Sequence, residues 1–204
     1  MQSATEHFLL EARDQCSIIH LTSADRMSRL TFARVQALTA LMEGLTEFSH
    51  TEADRRPLII TGNDEYFSVG ADLNEIAALS GPEALAFARC GQHLMQVIDG
   101  FPGPVYAAIS GYCMGGGLDL ALACDFRVCG ANAIFGHRGA ALGLITGWGG
   151  TQRLTGLVGR AQALQIFTAA AKLNAEDALR IGLITKVHEN PVTLALEAAH
   201  RVSE

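Results

Sequence analysis

The sequence predicts an α/β domain. Short apolar runs of strand length, such as Pro57-Leu58-Ile59-Ile60-Thr61 and Pro104-Val105-Tyr106-Ala107-Ala108-Ile109, alternate with longer segments whose apolar residues recur at helical spacing. The connections between them are short. The chain of 204 residues, 49% hydrophobic and 18% charged, is long enough for one substantial core and too apolar for disorder to dominate.

In chain order, 8–12 and 17–21 alternate apolar and polar residues around Arg13-Asp14-Gln15, which predicts an opening hairpin. From Leu30 to Phe48, the residues Leu30, Val35, Leu38, Leu41, Met42 and Leu45 mark a helix packed by one face, ended by the polar segment His50 to Arg56. A buried strand over 57–61 exits through Gly62-Asn63-Asp64-Glu65. Tyr66 to Asp72 reads as a loop leading into a short helix over 73–79. Pro82 suits the first turn of a long helix running to Ile98, and the Gly/Pro cluster 100–104 stops it.

The strand over 104–109 then leads directly to the glycine run Gly115 to Gly117 and an apolar helical pattern. Two short strands follow at 126–129 and 133–135. A second glycine-rich stretch, Gly143 to Gly150, precedes a helix from Thr151, and Gly159 separates that helix from another over 161–171. A helix over 175–181, a strand over 184–187 and a helix opened by Pro191 complete the pattern, giving a core domain over 1–190 and the start of a C-terminal helix over 191–204.

A net charge of −6 argues against a nucleic-acid surface, and no polybasic segment is present for an anionic membrane. The amino terminus has no basic region followed by an apolar core, and no apolar run approaches membrane-spanning length, so a soluble, cytoplasmic protein is expected. Five cysteines, at 16, 90, 113, 124 and 129, form no Cys-x-x-Cys pair. They read as buried reduced thiols, Cys113 included, and no His/Glu spacing suggests a metal site.

The chemistry concentrates at two strand-glycine-helix junctions, one ending at Ala71 and one at Gly116. Glycine lets a backbone turn tightly and approach a ligand, while the first amides of the following helix point outward at the positive end of its dipole. Two such junctions brought together would aim two N–H groups at one oxygen. Paired donors of that kind stabilise an enolate or oxyanion better than a ground-state carbonyl, so a carbonyl substrate is expected.

The residues that carry these junctions also carry a family resemblance. Phe67-Ser-Val-Gly-Ala-Asp72, Gly111-Tyr-Cys-Met-Gly-Gly-Gly-Leu-Asp119, Cys124-Asp125-Phe-Arg127 and Gly147-Trp-Gly-Gly-Thr-Gln-Arg-Leu154 are similar, in order, to the crotonase (enoyl-CoA hydratase/isomerase) superfamily, over roughly Cys16 to His188. The resemblance implies a spiral of ββα turns and an acyl-CoA thioester whose oxygen is held by the N–H groups of Ala71 and Gly116. It places Phe67, Gly70, Asp72, Gly115, Gly139 and Trp148 around the substrate; Trp148 reads either as packing against the acyl or pantetheine path or as a core residue. Ser23 to Ser28 would border the adenine and phosphates of coenzyme A, and Arg26 suits a phosphate because a guanidinium grips its oxygens in a fork. Asn74 stands where many relatives carry a lysine. No cofactor beyond the coenzyme A of the substrate is implied, and a homotrimer or hexamer is the expected assembly. Relatives usually continue past the position of Glu204 with further helices, so the usual C-terminal helical region is expected to be largely missing.

The acid/base positions depart from the hydratase pattern. The two glutamates of similar hydratases fall here on Asp119 and Gly139. Asp119 keeps a carboxylate one methylene shorter, whose proton must be reached close to the backbone or through a water. Gly139 can transfer none. His137, two residues earlier, could substitute because imidazole titrates near neutral pH, with Glu75 and Asp64 as weaker candidates. Asp125 reads as a buried structural carboxylate paired near Arg127. A lyase or isomerase of fatty-acid metabolism acting through an enolate is therefore expected, by hydration or double-bond isomerisation. Decarboxylation of a malonyl-type thioester and non-catalytic acyl-CoA binding remain as alternatives.

Overall fold

A computed structural model describes residues 2–13, 15–47 and 56–202. Asp14 of the expected hairpin turn, Phe48 of the first helix, residues 50–55 of the polar segment and Glu204 lie outside the described residues.

Among the described residues, strands β1 (Gln2–Ala4), β2 (Phe8–Ala12) and β3 (Ser17–Leu21) form an antiparallel edge. Strand β4 (Arg29–Leu30) leads into helix α1 (Phe32–Glu47). Then come β5 (Leu58–Thr61), β6 (Tyr66–Ser68), β7 (Gly70–Ala71), α2 (Leu73–Ala78) and α3 (Gly81–Asp99). The next turn comprises β8 (Val105–Ile109), β9 (Tyr112–Met114) and α4 (Gly116–Ala123). After β10 (Phe126–Cys129) and β11 (Ile134–Gly136), a 3-10 turn covers Gly139–Leu142 and helices α5 (Gly150–Val158) and α6 (Arg160–Ala169) follow. Strand β12 (Lys172–Asn174), α7 (Ala175–Arg180), β13 (Lys186–Val187) and α8 (Pro191–Val202) end the described chain.

The main sheet has the order β1-β2-β3-β5-β8-β10-β13, parallel from β3 onward, and a second sheet has the order β12-β11-β9-β6. Each of β5, β8 and β10 is followed by a strand of the second sheet, β6, β9 and β11, so the chain winds as a spiral that steps from sheet to sheet. This is the expected ββα architecture.

Both faces of the main sheet are covered, which is why its strands read as unbroken apolar runs. Ile19, Ile60, Ala107 and Ile109 point into the larger core with α1, α3 and α4. Their neighbours Ile18, Ile59, Tyr106 and Ala108 point the other way and meet Leu194, Ala195 and Ala199 of α8. The expected elements are found with ends shifted by a few residues; Leu30 lies in β4 and not in α1. The expected loop over 66–72 is instead two short strands, and β9 intervenes between β8 and the glycine run. Helix α6 ends at Ala169, two residues short of the expected Ala171, and the unexpected strand β12 follows from Lys172. These strands have two or three residues, too few for a period-2 pattern, and exist through pairing with distant segments.

Asp125 differs from expectation. It is exposed, and its Oδ2 accepts the Val105 N–H at 2.7 Å; Arg127 is the buried partner, donating to the Cys124 and Leu183 carbonyls at 2.7 and 2.9 Å. The side chain of Arg127, not that of Asp125, ties the end of α4 to the segment before β13.

Candidate active site

The spiral brings the two glycine junctions into contact. Gly70 has φ +85°, and a β-carbon on it would lie 2.7 Å from the Gly116 nitrogen; a β-carbon on Gly116 would lie 3.4 Å from the Ala71 nitrogen. The main chains of β7 and of the start of α4 therefore lie side by side, an approach that only glycine at 70 permits. Gly115, at φ +53°, turns the chain from β9 into α4 and donates its N–H to the Gly136 carbonyl at 2.9 Å. Gly116 is the first residue of α4, so its amide has no partner within the helix.

Ser28 and Ser68 pin this arrangement from below. Ser68 donates to the Ser28 carbonyl at 2.7 Å and accepts the Gly70 N–H at 3.1 Å. Asp72 caps α2, accepting from the Asn74 and Glu75 amides at 2.8 and 3.3 Å. Phe67 is wholly buried, so it anchors β6 in the core and presents no side chain to a ligand. Arg26 lies at the exposed tip of the 23–28 loop at φ +63°, its carbonyl held by the Asn63 amide at 2.6 Å.

One turn into α4, Asp119 is 2% exposed and His137 is 5% exposed. His137 Nε2 stands 3.0 Å from Asp119 Oδ1, while Thr146 Oγ1 donates to Oδ2. Thr146 also accepts the Trp148 N–H at 3.3 Å. A buried carboxylate is costly unless paired, and this one has a donor on each oxygen. It joins three segments: α4, the end of β11 and the glycine-rich stretch before α5. Gly150 belongs to the same contact, because a β-carbon there would lie 2.0 Å from Asp119 Oδ1. The carboxylate thus rests against the amino end of α5, where the helix dipole favours negative charge.

Gly139 opens the 3-10 turn, and a β-carbon on it would meet the Leu144 carbonyl oxygen at 2.6 Å. The Leu144 N–H closes the turn onto the Gly139 carbonyl at 2.9 Å, so no side chain at 139 fits this path. Glu75 is occupied in accepting the Phe32 N–H at 2.8 Å, and Asp64 is exposed on the turn after β5, its carbonyl accepting from Asn132. Neither joins Asp119. Cys113 is fully buried, and burial pushes its thiol well above the ordinary range, the opposite of an activated nucleophile.

The structure sets Ala71 beside Gly116 and His137 beside Asp119, and it adds Thr146, Gly150 and Gly91, which the sequence did not single out. The signal for Thr146 was a hydroxyl residue inside an otherwise apolar, glycine-rich stretch. Gly91 lies inside α3 and faces the Trp148 indole, whose Nε1 would be 2.1 Å from a β-carbon there. Among the described residues no cluster of potential metal ligands occurs, and no helix is long and apolar enough to cross a membrane.

A family model described as enoyl-CoA hydratase/isomerase matches residues 25–204. The chain is similar to the crotonyl-CoA hydratase of Syntrophomonas wolfei, with 37% identity over 185 residues, 90% of this chain and 70% of that protein. It is 42% identical over 136 residues to a probable enoyl-CoA hydratase of Bacillus subtilis, covering 66% of this chain and 53% of that protein. Among solved structures it superposes on DspI of Pseudomonas aeruginosa with a TM-score of 0.91 and 33% identity, covering 98% of this chain and 81% of that one.

Proposed function

The chain belongs to the enoyl-CoA hydratase/isomerase family, and from that premise we propose that it hydrates or isomerises an enoyl-CoA through an enolate held by the amides of Ala71 and Gly116. The observation that carries this reading is the contact of Gly70-Ala71 with Gly115-Gly116, which sets two amides from separate turns of the spiral beside one another. A thioester oxygen accepting both N–H groups gains most as charge builds on it, the condition for lowering a barrier and not merely binding a substrate.

The proton is handled by Asp119. Both its oxygens are engaged, so a proton reaches it by way of the Thr146 hydroxyl, which already donates to Oδ2, while His137 Nε2 stands against Oδ1. In isomerisation of a β,γ-enoyl thioester, the α C–H bond breaks and its electron pair is delocalised onto the thioester oxygen; as the enolate collapses the double bond re-forms between the α and β carbons and the proton returns to the γ-carbon, the far end of the original double bond. One acid/base group suffices for that. Gly139 leaves no second carboxylate to position water, so isomerisation is the favoured reaction. Arg26, exposed and held by its backbone, meets a coenzyme A phosphate; coenzyme A enters only with the substrate. A cytoplasmic homotrimer or hexamer completes the reading, supported by the exposed Leu142 and Ile145 beside the 3-10 turn, and a sizing-column mass tests it.

Incubation with crotonyl-, vinylacetyl- and malonyl-CoA followed by mass spectrometry and chromatography tests the activity. Interconversion of the first two, or hydration, is expected. Loss of carbon dioxide from malonyl-CoA alone would replace the reading with a decarboxylase, and tight binding without turnover would replace it with a carrier.

A further inference from the structure

Trp148 fills the space next to the paired amides. The far edge of its indole, Cζ3 and Cε3, lies 2.5 and 2.8 Å from where a β-carbon on Gly116 would be, and its near edge lies against Gly91 of α3. Two glycines on two different helices leave room for one side chain. The ring packs on Phe87 with centroids 5.2 Å apart, and Phe87 stacks on Phe32 at 6.2 Å, so an aromatic row runs from Gly116 outward.

The main chain that carries the indole is held by hydrogen bonds. The Trp148 N–H reaches Thr146, its carbonyl accepts from Arg153 at 3.4 Å, and the neighbouring Gly147 carbonyl accepts from Gln92 at 2.7 Å. At 3% exposure it is a wall and not a swinging door. A cavity of about 440 Å³ is lined by Trp148 together with Gln92, Gln96, Thr146 and Thr151, and neither Ala71 nor Gly116 is among its lining residues. Trp148 thus borders that cavity and also packs against Gly116, the first residue of α4.

We propose that Trp148 sets the acyl specificity: its indole closes the acyl compartment beside Gly116, so the site accepts acyl groups of crotonyl or butyryl size and rejects long straight chains. This rests on the thioester reading above. A thioester held by both amides places its first carbons next to Gly116, and each methylene beyond the wall must displace an indole packed against Gly91 and Phe87. Overpacking of that kind is resisted by a close-packed interior. Discrimination of about tenfold or more per excluded methylene is the usual scale for such a pocket.

Calorimetric titration of the full chain with acetyl-, butyryl-, octanoyl- and palmitoyl-CoA tests this, using the wild type, Trp148→Ala and the milder Trp148→Leu. The wild type is expected to bind butyryl-CoA at least about tenfold more tightly than octanoyl-CoA. Trp148→Ala should abolish or invert that ratio, with Trp148→Leu intermediate. If Trp148→Ala fails to fold, as judged by its circular dichroism, the Trp148→Leu ratio decides. Equal wild-type affinity for butyryl- and octanoyl-CoA overturns the proposal, as does an unchanged ratio in a folded variant. Failure of the wild type to bind any of the four overturns the thioester reading and this inference with it, whereas binding without chain-length preference overturns only the inference.

Discussion

The imidazole of His137 and the carboxylate of Asp119 lie 3.0 Å apart in the interior, joined across the end of β11 and the first turn of α4. Thr146 takes the other carboxylate oxygen. The pair is thus both a tie between elements and the candidate proton-handling group. Substitutions separate the two roles.

Asp119→Asn keeps the shape and removes the charge. We expect kcat to fall by about 10²–10⁴, the range for loss of a general acid or base, with little change in KM. Steady-state kinetics on the best thioester checks it; a fall confined to KM would mean that Asp119 only shapes the site.

Thr146→Val deprives a buried carboxylate oxygen of its donor. It is expected to cost about 1–3 kcal/mol of stability and most of the activity, with Thr146→Ser recovering both. Denaturant unfolding alongside kinetics reads the two effects. Recovery of stability without activity in Thr146→Ser would remove the hydroxyl from the proton path.

Gly70→Ala should cut turnover steeply even where the protein folds. Its β-carbon would press on the Gly116 nitrogen from a backbone at φ +85°, so the amide pair must separate. Loss of one oxyanion donor costs about 10²–10³ in kcat, and comparable loss is expected here. Near-normal kcat in the variant would show that the pair does not hold the oxygen.

Gly139→Glu should not create a better hydratase. The Leu144 carbonyl occupies the β-carbon position, so the variant is expected to lose about 1–3 kcal/mol of stability through overpacking. A calorimetric melt checks this; an unchanged melting temperature with a raised hydration rate would show that the turn readily makes room.

Alkaline stability follows from the buried thiols. Burial pushes Cys124 and Cys129 from the ordinary 9.0 up to about 12. Both stay neutral in the fold while an unfolded chain ionises them. Their contribution is intact below pH 9 and is lost as the pH rises toward 12, at up to about 1.4 kcal/mol per pH unit for each thiol. Unfolding free energies measured across that range should fall more steeply in the wild type than in the Cys124→Ala/Cys129→Ala double variant. Equal slopes would contradict the burial of the thiols.

The parallel core of the fold was legible because β5 and β8 are apolar on both faces, and because Pro82 and the Gly/Pro cluster 100–104 bracket α3. The short strands β6, β7, β9 and β12 were not legible, since their identity lies in partners far along the chain. At the site, the glycines at 70 and 115–117 announced a close backbone approach, and Asp119 followed at a helical turn. What the sequence could not convey was convergence: that Thr146 and His137 meet on Asp119, or that Gly91 is open because an indole from residue 148 lies on it. Those contacts depend on the packing of α3, α4 and the stretch before α5, which no local pattern encodes. Asp125 was misread for the same reason: its carboxylate turns outward to an amide of β8, leaving Arg127 as the interior group.

The central claim is that the amides of Ala71 and Gly116 stabilise a thioester enolate. The most direct measurement is exchange of the α-protons of butyryl-CoA in D₂O, followed by NMR, because it needs enolate formation and no later step. Saturable, enzyme-dependent deuterium incorporation that is lost in both Gly70→Ala and Asp119→Asn is the predicted result. Butyryl-CoA binding with α-exchange no faster than in buffer would contradict it.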